Sequence, residues 1–332
     1  MERVQLSHGS GGRLMHQLVR DFFVPAFHLQ SLNDSAVVDN ISGGRIALTT
    51  DSYVISPYFF PGGDIGKLAV CGTVNDLAMA GARPLYLTAG FILEEGLPME
   101  DLIKILASMK TIADAIGVKI VAGDTKVVEK GKGDGIYINT AGVGVVEEGV
   151  DLSPVHIRPG DRIILSGSIG NHGMSVMAER HGISFAPPIL SDVCPLNTLT
   201  EAMLRISKEI RVMRDPTRGG VATTLKEFAN DSGWCMMIQE DAILVRPGVQ
   251  GACDLLGLDP LYVANEGILL AVAAPDAVGP LVREMRMTDA GSEASVIGEV
   301  TGTPKQTVLL RTGIGGSRII DMITGEQLPR IC

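Results

Sequence analysis

Glu147-Glu148-Gly149-Val150-Asp151-Leu152-Ser153-Pro154-Val155-His156-Ile157-Arg158-Pro159-Gly160 reads as a seam between two structural units. Its acidic start, Pro154, Pro159 and two glycines interrupt the periodic segments on either side, and such clusters join elements rather than form them. With 332 residues, 45% of them hydrophobic, the chain has apolar surface for two ordinary cores. Before the seam, Leu102, Ile105, Leu106, Met109, Ile112 and Ala113 recur at helical spacing after Pro98, which predicts an amphipathic helix from Met99 to Ile116. Lys119 to Ala122 and Ile136 to Val146 are β-branched runs between glycine-containing breaks and are predicted strands. Beyond the seam the alternation resumes. A strand at Arg162 to Leu165 is followed by helices near Met174 to Arg180, Asn197 to Ile210 and Gly220 to Asn230. Strands at Ile268 to Ala273 and Ser295 to Val300 flank a last helix at Ala277 to Arg286. Each half mixes helix and strand, so the chain is an α/β (α+β) protein of two domains.

Composition excludes several function classes. A net charge of −10 and 4% aromatic residues disfavour a nucleic-acid surface, because phosphate backbones select basic faces. The five cysteines, Cys71, Cys194, Cys235, Cys253 and Cys332, are far apart and contain no C-x-x-C pair for zinc or redox work. Reduced thiols, no apolar leader from Met1 to Arg20 and no uninterrupted apolar span predict a soluble, cytoplasmic chain without membrane contact.

The chemistry-bearing residues are aspartates. Asp34, Asp51 and Asp124 lie where strand-like runs meet loops. Asp76 lies in Leu68 to Ala82, an apolar helix-like stretch whose only strongly polar residues are Asn75 and Asp76. Capping or turn formation explains any one of them. Four in one domain, one inside an apolar helix, point to ligation of a hard cation, and oxygen ligands of this kind suit Mg2+ with substrate phosphates completing its shell. Phosphate recognition takes an unorthodox form here. Gly62-Gly63-Asp64-Ile65-Gly66-Lys67 approaches a P-loop, but Pro61 occupies the first glycine position and Leu68 replaces the hydroxyl residue. Three alternatives remain: Lys67, Lys126 after Gly123-Asp124-Thr125, and Arg214-Asp215-Pro216-Thr217-Arg218-Gly219-Gly220, whose paired glycines open a helix toward an anion. His8-Gly9-Ser10-Gly11-Gly12 is a flexible arm able to close over phosphates.

The chain ends Leu328-Pro329-Arg330-Ile331-Cys332. A thiol on the last residue is expected to be exposed and mobile. Gly313, Gly315 and Gly316 make a hinge, after which Ser317 to Cys332 could extend roughly 50 Å at about 3.3 Å per residue. The α-carboxylate on the same residue disfavours the thiolate, and Arg330 is the cation expected to offset it or to dock the tail on a partner.

Asn75-Asp76, Gly123-Asp124-Thr125 and the Asp-x-Thr-x-Gly-Gly of Asp215 to Gly220 resemble the ATP-binding superfamily of aminoimidazole ribonucleotide synthetase, selenophosphate synthetase and thiamine-monophosphate kinase. Within it, Thr50 to Val54, Phe60 to Gly63, Phe91 to Pro98, Asn265-Glu266-Gly267 and the terminal Pro-Arg-Ile-Cys resemble the carbamoyl dehydratases of nickel-iron hydrogenase maturation, from Leu6 to the last residue. The resemblance implies a two-domain PurM-like fold. Its parts would be a glycine-rich arm (1–35), an ATP- and Mg2+-binding domain that forms a homodimer (36–150), a second PurM-like domain (158–305) and a flexible tail (306–332). It implies that Cys332 accepts a carbamoyl group from HypF, that ATP drives its dehydration to a thiocyanate, and that cyanide passes to a HypC–HypD complex. In that scheme Lys67, Asn75, Asp215, Thr217, Gly219, Gly220 and Gly11 contact the nucleotide, and Asp34, Asp51, Asp76 and Asp124 hold Mg2+. The base that strips the nitrogen proton is Glu266 or Lys126. The rival readings are a small-molecule kinase or synthetase of the same superfamily, which needs no Cys332, and a non-enzymatic thiol carrier, which leaves the aspartates without work.

Overall fold

The computed structural model describes residues 12–18, 20, 36–41, 44–325, 328 and 330–332. After a short helix α1 (Arg13–Leu18), the first domain comprises β1 (Ala36–Ile41), β2 (Gly44–Tyr53), β3 (Phe59–Phe60), β4 (Gly63–Asp64), α2 (Ile65–Met79), β5 (Ala82–Glu94), α3 (Met99–Ala115), β6 (Lys119–Val128) and β7 (Ile136–Val146). The second comprises β8 (Arg162–Leu165), α4 (Asn171–His181), α5 (Asn197–Ile206), β9 (Ile210–Arg214), α6 (Gly220–Ser232), β10 (Cys235–Gln239), α7 (Pro247–Leu256), β11 (Leu270–Ala273), α8 (Pro275–Met285), β12 (Ser295–Thr301), β13 (Thr307–Arg311) and β14 (Ser317–Ile320). The predicted elements on both sides of the seam are present. The seam itself is packed: Val150 and Ile157 are buried in different cores, and Pro154–His156 forms a 3-10 turn.

The first sheet runs β1-β2-β7-β5-β6, with only β5 and β6 parallel. The second runs β14-β13-β10-β12-β8-β11-β9, with only β10 and β13 parallel. Residues 307–320, expected to belong to a tail, thus form two strands of the second sheet, and the glycines expected as a hinge make the turn between them. Val308, Leu310 and Ile320 are the reason, since their alternation buries one face of each strand. The peripheral segment begins after Ile320.

Helix α2 is buried along its length apart from part-exposed Lys67 and Asp76, as a helix with apolar residues on every side requires. It lies on the first sheet and also meets α5 and β9 of the second domain. Asn75 fastens that contact. Its amide donates to the carbonyls of Cys194 and Glu266 at 3.1 and 3.3 Å, and its oxygen accepts from the Leu196 N–H at 2.8 Å. In the structure Asn75 holds the Glu266 loop against α2. The start of α2 also explains the failed P-loop, because the Asp64 carboxylate caps it by accepting from the Gly66 and Lys67 N–H groups.

Candidate active site

The chain end folds back into the junction between the domains. Residues 330–332 run antiparallel beside 54–56: the Val54 N–H donates to an α-carboxylate oxygen of Cys332 at 3.2 Å, and the Ser56 N–H reaches the Arg330 carbonyl at 3.5 Å. Ile331 is buried, and Cys332 is only 9% exposed. The exposed thiol expected for a chain end is thus inside the protein. Apolar packing is the cause, since both residues join the core formed by the first sheet, α2, α4 and α7.

The thiol meets a cation and several acids. Arg218 Nη1 lies 3.6 Å from Cys332 Sγ. Burial pushes the thiol up to about 12; Arg218 pulls it down, and Glu266 and Asp51 add to the rise. Arg330, the expected counter-cation, points elsewhere: it pairs with Asp134 at 2.7 Å and donates to the Val54 carbonyl. The chain turns at Arg330 through a left-handed backbone (φ 54°), which directs that side chain away from the thiol.

Arg218 sits where it does because of two glycines. Gly219 and Gly220 have φ of 79° and 61°, and a Cβ on Gly220 would come within 2.5 Å of the Leu261 carbonyl oxygen and 2.7 Å of that of Val263. Only glycine lets β9 turn this tightly into α6, bringing Asp215, Thr217 and Arg218 to the junction. Asn265 braces the same turn, donating to the Pro216 and Val263 carbonyls and accepting from the Gly170 N–H at 2.7 Å.

Glu266 follows and is buried, with Oε1 lacking a partner among the described residues. Its N–H and that of Gly267 both donate to Asp192 Oδ2, at 2.9 and 2.8 Å. Burial holds the Glu266 carboxyl well above the ordinary range, and Asp215, Asp51 and Asp192 add to the rise. Burial and these acidic neighbours therefore favour its protonated form, and Oε1 is left to meet a hydrogen-bonding partner.

The aspartates divide between two faces of the first sheet. Asp51 is paired across β2 and β7 with buried Thr140, so it faces α2. Thr49, on the same face, donates to Asp76 Oδ2 at 2.8 Å. Asp124 is aligned with Gly90, which is aligned with Asn139, the neighbour of Thr140, so it lies on the opposite face. Three strand spacings also separate it from β2, about 14 Å. Its carboxylate is held low by Lys126, at 2.7 Å, and by the Thr125 N–H. Both side chains are exposed. Four aspartates around one ion, with Lys126 beside the thiol, is therefore not an arrangement a single chain makes. No group of three metal-ligating side chains is present among the described residues. Asp34 and Gly11 lie outside those residues. Lys67 is at the first turn of α2, with Nζ on the Gly62 carbonyl at 3.0 Å.

Sequence reasoning missed Arg218 and Tyr53, although each was quoted within its motif, and missed Asp192 and His172 entirely. Tyr53 ends β2 with its hydroxyl 3.3 Å from Thr73 Oγ1 on α2, which only Gly72 leaves room for. Asp192 and His172 carry no motif signal. The one clue to Arg218 was its place between Thr217 and Gly219.

Residues 32–146 match the N-terminal domain of AIR synthase related proteins, and 158–311 match the C-terminal domain of the same family. The carbamoyl dehydratase HypE of Azotobacter vinelandii is 53% identical over 99% of this chain and 97% of its own length. A HypE solved in complex with ATP is 45% identical with a TM-score of 0.84, covering 99% of this chain and 100% of that one. HypE from a HypE–HypF complex is 48% identical with a TM-score of 0.87, over 92% and 99% of the two chains. Among the described residues no helix is long and apolar enough to cross a membrane. The two-domain fold, the junction built around a terminal cysteine and identity along nearly the whole length place this chain in the HypE carbamoyl dehydratase family of AIR synthase related proteins.

Proposed function

We propose that this chain is an ATP-dependent carbamoyl dehydratase whose substrate is its own terminus, serving nickel-iron hydrogenase maturation. HypF would supply the carbamoyl group and a HypC–HypD complex would take the cyanide. The observation that carries this reading is the buried Cys332 thiol beside Arg218, within the electrostatic influence of the Glu266 carboxyl, whose Oε1 is unpartnered among the described residues. Carbamoylation turns Sγ into a thiocarbamate, S–C(=O)–NH2. Its oxygen is a poor leaving group, and transfer of the ATP γ-phosphoryl onto it makes phosphate the leaving group. Two N–H protons then depart, the C–O bond breaks, and S–C≡N remains with ADP and phosphate. Glu266 suits the removal of those protons. The carbamoyl N–H gives its Oε1 the donor it lacks, and donation to the charged form brings the raised carboxyl back toward ionisation beside its target. Lys126 of the same chain is on the far face of the sheet and is not placed for this work. Arg218 suits the sulfur at the moment of cyanide transfer, when thiolate charge returns to it.

A homodimer completes the site in this reading. The outer face of the first sheet carries Leu48, Val143 and Tyr86 in one cross-strand row, with Leu48 and Tyr86 44% and 46% exposed, and β6 is exposed along its length. Apolar rows of this kind call for a covering layer. A second copy packed there and reaching past the β1–β2 edge would bring its Asp124 to the Asp51 side of the first, allowing both to serve one magnesium-bound nucleotide.

Mass analysis of the C-terminal peptide after incubation with HypF, carbamoyl phosphate and ATP should show gain of one carbamoyl group on Cys332, then loss of one water. Modification of any other cysteine contradicts the assignment. Glu266→Gln should still accept carbamoyl but dehydrate it at least ~100-fold more slowly. It should also be more stable than the parent. A carboxyl whose folded pKa is raised costs nothing below its unfolded value of about 4.3 and progressively more above it, so the gain should be larger at pH 8 than at pH 5 by thermal unfolding. For the dimer, mixing Asp124→Asn chains with Cys332→Ala chains should restore dehydration that neither variant performs alone. Persistent inactivity of the mixture would place Asp124 outside the partner's site.

A further inference from the structure

Helix α4 contains no nucleotide motif, yet two of its side chains grip the tail. His172 is fully buried, with Nε2 2.8 Å from the Ile331 carbonyl oxygen and Nδ1 2.8 Å from Ser191 Oγ. A carbonyl only accepts, so Nε2 carries the proton and Nδ1 accepts from the serine, which in turn accepts from the Val193 N–H at 3.1 Å. The Phe60 ring, perpendicular at 5.3 Å, holds the imidazole edge-on. One helical face further along, Arg180 Nη2 donates to the Arg330 carbonyl at 2.7 Å and to the Ser56 carbonyl at 2.6 Å, and Nε also reaches Ser56 at 2.8 Å. Arg180 therefore joins the tail to the segment it runs beside.

We propose that His172 and Arg180 are positioning residues that hold the tail docked by its backbone carbonyls and so divide Cys332 between accepting and dehydrating its group. The division rests on the function proposed above; the grip itself does not. Docked, the thiol is shielded and protonated at physiological pH, so it cannot attack a carbamoyl donor on another protein. Acceptance requires release, and dehydration requires return. Loosening the grip should therefore speed the first and slow the second, whereas damage to the fold would slow both.

Two measurements separate the grip from the function. Alkylation of Cys332 by iodoacetamide at pH 8 in the full-length chain, followed by peptide mass, reads docking without any maturation partner. His172→Leu and Arg180→Leu should each raise the Cys332 rate about 10-fold, the equivalent of one hydrogen bond to a backbone carbonyl, with buried Cys71, Cys235 and Cys253 unchanged. His172→Gln, whose amide can still donate to Ile331, should restore most of the protection. Unchanged Cys332 rates, or equal acceleration of all the cysteines in both variants, would overturn the grip. Single-turnover carbamoyl transfer from HypF and ATP-driven dehydration are then timed in the same variants. Faster transfer with slower dehydration supports the division, and slowing of both overturns it. Absence of transfer in the parent protein would instead refute the proposed function and leave the alkylation result standing.

Discussion

Bringing a chain end into an acidic interior depends on one guanidinium. Around the Cys332 sulfur are Glu266 and Asp51, both of which raise the thiol, and Arg218 is the cation that offsets them. The benefit is mutual, since Cys332, Asp51 and Glu266 all favour the charged guanidinium. A buried cation among acids keeps its place only if its backbone is rigid. The two left-handed glycines after Arg218 and the Asn265 amide against Pro216 provide that rigidity.

The remainder of the molecule reads as support for this arrangement. The all-round burial of α2 joins the two sheets, and Asn75 passes from it to the carbonyl of Glu266 itself, so the carboxyl and the thiol are positioned from opposite domains. Asp192 fixes the other side of the same loop, where a Cβ on Gly267 would fall 1.8 Å from the Asp192 carbonyl oxygen. A carboxyl whose ionised form is disfavoured by burial and such neighbours costs stability, which is the usual signature of a residue kept for chemistry.

Much of this was legible in the chain because it depends on local pattern. The seam at 147–160, the amphipathic Met99–Ala115 helix and the Ile136–Val146 strand follow from punctuation and periodicity. The terminal cysteine and the Asp215–Gly220 turn stood out for the same reason. What the pattern did not reveal is what long-range geometry decides. Tail docking works through main-chain carbonyls of Arg330 and Ile331, which leave no residue-type signal. Asp124 looks equivalent to Asp51 in sequence, and only strand register shows them on opposite faces. Arg330 was nearer to Cys332 along the chain than Arg218, yet one left-handed residue turned it outward.

The free chain keeps its terminus docked beside 54–56. The Val54 amide reports on it directly, because its hydrogen bond in the structure is to the Cys332 α-carboxylate. Hydrogen exchange at Val54 should be slow in the full chain and should accelerate sharply once Arg330, Ile331 and Cys332 are removed, with β2 protection unaltered. Equal exchange rates at Val54 in the two chains would contradict the docked tail and the site built around it.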